Sequence, residues 1–264
     1  ATSGVRWFRP ETRNPGSLIR AKWNLYAVAL MRYFNILWGG SFAIRRDILE
    51  QSQLLERWSE TICEDTCVGD TLARAGYGIQ LVPEVSMVNQ ESTTMPGCLR
   101  FMSRQLVFTR LHSRNWFPIL LLGMSVSVVS LLVPAAAVVT MVQGDWIPCL
   151  ISGGAMVVLL VGITHFEKQV AALTPLPTRS SDDETGKQST EGLAANLRKV
   201  SGNYLCQMSC VVMSGIAFCR AAFTRQLEWR GITYSVRHSR VTLVKYTPFV
   251  PTADAETKLE SLSI

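Results

Sequence analysis

The feature of this sequence that most constrains its fold is a long stretch without cations. Between Arg114 and Glu167 the chain contains no Lys or Arg and only one acid, Asp145. About 20 consecutive apolar residues are enough for a helix to cross a bilayer. The stretch therefore predicts a hairpin of two transmembrane helices, over residues 117–142 and 147–164, joined by a tight turn.

The composition agrees with a membrane protein. Apolar residues make up 48% of the 264 residues and charged residues 17%, whereas soluble domains average about 25% charged residues. These values exclude a wholly disordered chain and argue against an ordinary cytosolic enzyme. The seven cysteines are too scattered for a disulfide scaffold and have no His or Cys partners at zinc spacing. We therefore expect buried, reduced thiols and no metal ligands in this chain.

The hairpin divides the chain into four parts. We expect a globular α/β domain over residues 1–114 and the transmembrane hairpin over 115–165. Residues 166–203 are rich in Ser, Thr, Asp and Pro and have few large apolar side chains, which predicts a disordered linker. The last part, 204–264, begins with a short apolar segment, 204–219, that suits an interfacial or re-entrant helix about as well as a transmembrane span.

The tail after this segment sets the predicted topology. From Arg220 to Lys245 it has six basic residues and one acid, Glu228, and an excess of cations favours the cytosolic side. A hairpin returns the chain to the membrane face where it started. We therefore expect a multi-pass integral membrane protein whose globular domain is cytosolic.

The first candidate motif of the globular part is the run Trp38, Gly39, Gly40 and Ser41, which precedes a strand-like stretch. Glycines let a backbone approach a ligand closely and expose N–H groups. The same run also fits a plain tight turn before a strand, so alone it does not establish a site.

The second candidate motif is the acidic pair Glu64 and Asp65, which stands where a helix should begin, with Gly76 where that helix should end. A carboxylate beside a glycine-rich cleft can act as a general base. A simpler interpretation is that Asp65 only stabilises the start of the helix.

The third candidate motif, residues 100–110, lies just before the first predicted span and contains Arg104, Gln105 and Arg110. Such cations and a Gln can bind a diphosphate. They can equally anchor the chain to lipid headgroups at the membrane surface.

Taken together, the order and spacing of the three motifs resemble the second half of the catalytic domain of membrane glycosyltransferases of family two, most closely the ceramide glucosyltransferase-like branch. The segments Gly4–Phe8 and Glu228–Tyr234 also resemble this branch. The resemblance covers roughly residues 1–165 and 204–250. It implies a partial GT-A domain, the fold of nucleotide-diphospho-sugar transferases, followed by transmembrane helices.

The resemblance also implies roles for the acceptor side of the site. Asp65 matches the catalytic base that deprotonates the acceptor hydroxyl, and Glu64 matches its acidic neighbour. The wall between acceptor and donor is matched by Trp38, Gly39, Gly40 and Ser41.

On the donor side, Arg104 and Gln105 fall on the Gln/Arg-x-x-Arg-Trp motif, which contacts the donor diphosphate. The chain departs from this motif, since Val107 stands where Arg is usual and Phe108 where Trp is usual. Arg110 is the expected source of the missing cation.

The implied activity is inverting transfer of a hexose from a nucleotide sugar, UDP-glucose, to a lipid hydroxyl at the membrane. The family's DxD metal motif lies upstream of the segment that matches Gly4, and no Asp-x-Asp occurs in this chain. We therefore expect a divalent metal (Mg or Mn) whose ligands lie outside the chain, and a chain that is inactive on its own. The expected partners are the nucleotide sugar, the lipid and the membrane, with no nucleic acid.

Two alternatives stay open at this stage. A processive polysaccharide synthase of the same superfamily would need more membrane helices to line a channel. A non-catalytic remnant would explain the absent donor half, although the retained motifs argue against long decay.

Overall fold

The computed structural model of the chain forms two compact units, Ala1–Ala222 and Phe223–Ile264. The residues that it describes are 1–12, 14–172, 204–229, 231–237 and 240–246.

The first unit contains five short strands arranged in two small sheets. In one sheet β1 lies between β3, to which it is antiparallel, and β4, to which it is parallel. In the other, β2 pairs with β5 in parallel. Parallel pairing of strands that are distant in sequence requires crossover connections, and here these contain helices. The mixed helix and strand content predicted for this part is confirmed, and its assignment to the GT-A fold stays a prediction. The strands are β1 (Thr2–Ser3), β2 (Arg6–Phe8), β3 (Phe42–Ala43), β4 (Gln80–Leu81) and β5 (Met87–Asn89).

Two helices of this part begin at residues whose side chains cap them, Asn14 and Thr94. Asn14 accepts a hydrogen bond of 2.9 Å from the backbone N–H of Ser17, and a proline occupies the first turn of that helix. The predicted helix at Glu64 is present and is followed by Gly76 with a φ of +81°, where glycine is favoured. The helices are α1 (Pro15–Tyr33), α2 (Arg46–Gln51), α3 (Leu54–Ser59), α4 (Glu64–Arg74) and α5 (Met95–His112).

A small apolar core holds α2, α3 and α4 together beneath the loop that precedes β3. At Gly69, in α4, any side chain would overlap the backbone carbonyl of Asn35, so the helix and the loop approach each other closely. The first turn of α4 is thereby fixed against residues 38–41. The buried members of the core are Leu37, Ile48, Leu54, Val68 and Leu72.

Three long apolar helices follow: α6 (Trp116–Gln143), α7 (Trp146–Ala172) and α8 (Tyr204–Phe223). Among the described residues, α6 and the Leu205–Phe223 part of α8 are long and apolar enough to cross a membrane. Length and composition alone are weak evidence, but they support the membrane association predicted from the sequence.

The predicted boundaries of the hairpin need one change. The first span lies within α6, and Gly144 forms the turn after it with a φ of +78°. However, α7 continues through residues 166–172, which were expected to belong to the linker. The rest of the predicted linker lies outside the described residues. The second span stays a prediction, because the apolar stretch described within α7, Trp146–Ala155, is shorter than a span.

Helix α8 packs along α5 and α1. Arg110 near the end of α5 donates hydrogen bonds of 2.6 and 2.7 Å to the carbonyls of Ala221 and Ala222, which close the C-terminal end of α8. Near its other end, Gln207 accepts a hydrogen bond of 3.0 Å from the hydroxyl of Tyr26 in α1. Since α1 and α5 are neighbours, α8 runs beside the globular part over most of its length.

The packing between α6 and α8 depends on small side chains. The ring of Phe218 lies directly over Gly123, where a Cβ atom would come within 2.1 Å of it. One turn further along α6, the Ser127 hydroxyl lies 3.4 Å from the carbonyl oxygen of Val211. Small residues allow such close approach between apolar helices, where burial from water contributes little.

In the described part of the second unit, β6 (Gln226–Trp229), β7 (Ile232–Arg237) and β8 (Arg240–Tyr246) form an antiparallel sheet in that order. Leu227 and Val236 are its buried side chains. This segment was predicted only as a basic tail, because its net charge was considered and its alternating apolar positions were not.

We expect Gly123→Ala to lower the stability of the protein in detergent by about 1–3 kcal/mol, because the new methyl group would displace the Phe218 ring. Gly154→Ala is the matched control, since nothing lies within 4 Å of that position. The measurement is the thermal unfolding midpoint. Equal midpoints for the two variants would show that α6 and α8 do not pack through Gly123.

Candidate active site

The carboxylate of Asp65 is held by three hydrogen bonds. Its Oδ2 accepts one of 2.9 Å from the backbone N–H of Gly39. Its Oδ1 accepts one of 3.0 Å from the hydroxyl of Thr66 and one of 2.9 Å from the thiol of Cys63. An ionised carboxylate has about four lone-pair positions. One position therefore stays available for a proton donor that enters the site.

These contacts distinguish between the two interpretations of the acidic pair. Asp65 lies in the first turn of α4, but Cys63 is the N-cap residue and caps the helix with no side-chain hydrogen bond. The Asp65 side chain instead reaches across to the loop of Gly39. Its neighbour Glu64 is exposed. The geometry is that of a carboxylate positioned by a second chain segment rather than that of a simple helix cap.

The glycine run predicted as part of the site lies against this carboxylate. A Cβ atom at Gly39 would stand 2.9 Å from Glu64 Oε1 and 3.1 Å from Asp65 Oδ2. The indole ring of Trp38 covers Gly40, where a Cβ atom would overlap it. Ser41 donates its hydroxyl to a backbone carbonyl 2.9 Å away, that of Val85. The structure thus brings Trp38, Gly39 and the acidic pair together and uses Ser41 to hold the loop.

Three arginines surround aromatic rings next to this cluster. Arg104, predicted as a site residue, lies 5.9 Å from the ring centre of Phe101. Arg6 lies 5.3 Å from the same ring and 5.8 Å from that of Trp38. Arg20 is buried and pairs with Glu91 at 3.1 Å.

Sequence reasoning did not assign Arg6 or Arg20 to the site. Burial lowers the pKa of Arg6 most, and the charge of Arg20 lowers it further. Among the smaller effects, Glu91 and Asp65 raise this pKa and Arg104 lowers it. These charged groups therefore lie close enough to Arg6 to shift its pKa. The only signal was the resemblance of Gly4–Phe8 to its family segment, which gave no role to Arg6.

The other residues of the predicted diphosphate motif lie apart from the acidic pair. Val107 and Phe108 are buried, with 1% and 4% of their surface exposed. Arg110 uses its guanidinium group to close α8 through Ala221 and Ala222. Gln105 is half-buried on α5 beside Arg104. The role of Arg110 as a reserve cation for the donor stays a prediction.

Two titratable groups behind Asp65 are kept uncharged. Burial, and then the neighbouring Asp65 charge, raise the pKa of the Cys63 thiol well above its usual range, so the group donates as a thiol. Burial, and then the charge of Arg57, lower the pKa of His112 to about 4, although Asp65 acts in the opposite direction. Among the described residues, His112 Nε2 has no hydrogen-bond partner.

Neither a metal cluster among the described residues nor the cavity beside the β1 sheet competes with this cluster. Within the described part of the chain, no three His, Cys, Asp or Glu side chains are grouped as a metal would require. The predicted metal, with ligands outside the chain, stays a prediction. A cavity of about 590 Å³ lies at the edge of the β1 sheet, between Ala1, Ile48 and Gln80. None of its lining residues is an acid, so it offers no general base.

The comparisons with known proteins define the class as a glycosyltransferase. The sequence matches glycosyl transferase family 21 over residues 18–242. Because this match covers most of the chain, the protein belongs to that family. Searches of curated proteins and of solved structures gave no match.

Family membership supports transferase activity and implies a nucleotide sugar donor and an acceptor. The matched family carries a different number from the family two named above. Its ceramide glucosyltransferase-like character agrees with the predicted branch.

We expect the folded state to lose stability as the pH falls from about 6.5 towards 4. In this range the unfolded chain protonates His112 and the folded chain does not, so protons favour unfolding. The effect should be on the order of 2 kcal/mol after a discount for partial solvation. The measurement is denaturant unfolding in detergent at about pH 7 and about pH 5.

His112→Gln should reduce this pH dependence, whereas His165→Gln, at an exposed position of α7, should leave it unchanged. If His112→Gln and the unaltered protein lose the same stability between the two pH values, His112 is not the group responsible.

Proposed function

We propose that this protein transfers a hexose from a nucleotide sugar, UDP-glucose, to the hydroxyl group of a lipid at the cytosolic face of a membrane, with inversion at the anomeric carbon. The observation that carries the proposal is the Asp65 carboxylate, held by Gly39, Thr66 and Cys63 with one lone-pair position left for a proton donor. Membership of family 21 supports the reaction class.

The proposed reaction is a single in-line displacement. The acceptor hydroxyl oxygen forms a bond to the anomeric carbon while the bond from that carbon to the diphosphate oxygen breaks. Asp65 takes the hydroxyl proton, and the nucleoside diphosphate leaves with the bonding electron pair. One displacement at one carbon inverts its configuration. Arg104 stabilises the charge that develops on the leaving group.

The place of α8 supports a lipid acceptor. Its exposed side carries large apolar side chains, among them Leu205, Ile216 and Phe223. Its other side packs on α5, which carries charged arginines and therefore does not belong in the hydrocarbon core of a bilayer. This arrangement favours an interfacial α8, which would hold the site at the depth of lipid headgroups.

In the full-length protein, with any residues that precede Ala1, Asp65→Asn should lower hexosyl transfer by about 10²–10⁴-fold, because the amide keeps the shape of the side chain but cannot take a proton. Affinity for UDP should change little. The assay is transfer of labelled glucose from UDP-glucose to ceramide in membranes. Glu64→Gln should lower hexosyl transfer less than Asp65→Asn does.

Asp47→Asn is the control for the loss of an acid, since Asp47 is exposed and pairs with Arg45. Turnover of Asp65→Asn close to that of Asp47→Asn would show that Asp65 only supports the fold.

Arg104→Ala should weaken UDP binding by about tenfold or more, because it removes a charged donor to the diphosphate. Arg104→Lys should recover only part of the affinity, since Lys lacks the planar fork of donors. The measurement is isothermal titration of UDP in neutral detergent. If the alternative of lipid anchoring is correct, both variants keep their UDP affinity and Arg104→Ala binds vesicles of anionic lipid more weakly.

A further inference from the structure

Arg6 stands beside the candidate site, and none of the described acids forms an ion pair with it. Its guanidinium carbon lies 4.8 Å from the ring centre of Phe8, 5.3 Å from that of Phe101 and 5.8 Å from that of Trp38. Trp38 directly precedes Gly39, which binds Asp65. Arg104 approaches the same Phe101 ring at 5.9 Å. Both guanidinium groups are therefore neighbours of one aromatic side chain.

The charge balance around these arginines is incomplete. Glu91 neutralises Arg20 through an ion pair of 3.1 Å and a further bond from Arg20 to its backbone carbonyl. Among the described residues, no acid forms an ion pair with Arg6, and its buried Nε atom has no hydrogen-bond partner. Aromatic faces attract a cation by only about 0.5–2 kcal/mol. A half-buried guanidinium group with spare N–H donors is a site for an anion.

The position that the family motif uses for a second cation is closed in this protein. Val107, which stands there, is 1% exposed, and the adjacent Phe108 is 4% exposed. The nearest cation along the helix, Arg110, is bound to the end of α8. Under the proposed function, a second positive charge for the diphosphate would therefore come from another segment of the chain.

We propose that Arg6 supplies this charge and binds the diphosphate of the donor together with Arg104, in place of the arginine that the motif has at Val107. This inference rests on the proposed function, because the diphosphate is that of the nucleotide sugar. Two planar guanidinium groups can each donate two hydrogen bonds to phosphate oxygens. Both would hold the leaving group near Trp38 while Asp65 takes the acceptor proton on the other side of Gly39.

The test compares Arg6→Gln and Arg6→Lys with Arg46→Gln, an exposed arginine that pairs with Glu50. Inorganic pyrophosphate, UDP and uridine are titrated against each full-length protein in neutral detergent. Arg6→Gln should lower the affinity for pyrophosphate and for UDP by about tenfold or more. Arg6→Lys should lower both affinities by less, because Lys keeps the charge but lacks the planar fork of N–H donors. Arg46→Gln should leave both affinities unchanged. The affinity for uridine, which has no phosphate, should be the same for all variants.

Several outcomes would overturn the inference. Pyrophosphate affinity of Arg6→Gln equal to that of the unaltered protein, or no binding of pyrophosphate to the unaltered protein, would do so. A lower unfolding midpoint in Arg6→Gln with unchanged pyrophosphate affinity in Arg6→Lys would assign Arg6 to the aromatic packing alone. Weaker binding of Arg6→Gln to vesicles of anionic lipid, with unchanged pyrophosphate affinity, would assign it to a lipid headgroup.

A failure of the proposed function can be distinguished from a failure of the role proposed for Arg6. If pyrophosphate binds through Arg6 but UDP-glucose gives no transfer to ceramide, the anion site is correct and the reaction is not. If transfer occurs and Arg6→Gln keeps the same KM for UDP-glucose, the reaction is correct and the role of Arg6 is wrong.

Discussion

The hydrogen bond from the Gly39 backbone to Asp65 is the contact on which the rest of the site depends. It joins a loop to the first turn of α4 at 2.9 Å, and a Cβ atom at Gly39 would crowd the side chains of both Glu64 and Asp65. The apolar core under α4 holds both segments at this separation. An acid that would otherwise belong only to a helix start is thereby bonded to the loop that also carries Trp38.

The arginines around Phe101 balance that acid without pairing with it. A buried cation is costly unless an anion or several donors and acceptors satisfy it, and Glu91 does so for Arg20. Arg6 and Arg104 instead face aromatic rings. Under the proposed function, Asp65 takes the acceptor proton, and Arg6 and Arg104 lie close enough together around Phe101 to act on one diphosphate.

The apolar helices connect this site to the membrane. Arg110 donates hydrogen bonds to carbonyls at the C-terminal end of α8. Such carbonyls have no partners within their own helix. Tyr26 and Gln207 make a second polar contact with the same helix. Through these bonds α8 is attached to α1 and α5, the two helices that carry Arg20 and Arg104.

Much of the organisation was legible in the residue pattern. A long uncharged run can only be satisfied in an apolar environment, so α6 was predictable, and so were the start of α4 at Glu64 and its end before Gly76. The family resemblance was also recoverable, because the three motifs keep their order and spacing. The extension of α7 through residues 166–172 and the sheet formed by β6, β7 and β8 were missed. The extension of α7 was missed because polar residues near the bilayer surface do not end a helix. The sheet was missed because a count of charges does not reveal alternating apolar positions.

What the sequence by itself determined are the local properties of short segments: hydrophobic runs, helix caps and the positions where glycine is required. Only the tertiary structure decided which of these segments meet. It placed Arg6, far from α5 along the chain, beside Arg104 around one aromatic ring, and it committed Arg110 to the end of α8. The physical reason is that charges and hydrogen bonds act over a few ångströms in space. Their partners depend on packing between elements, which residue spacing along the chain does not encode.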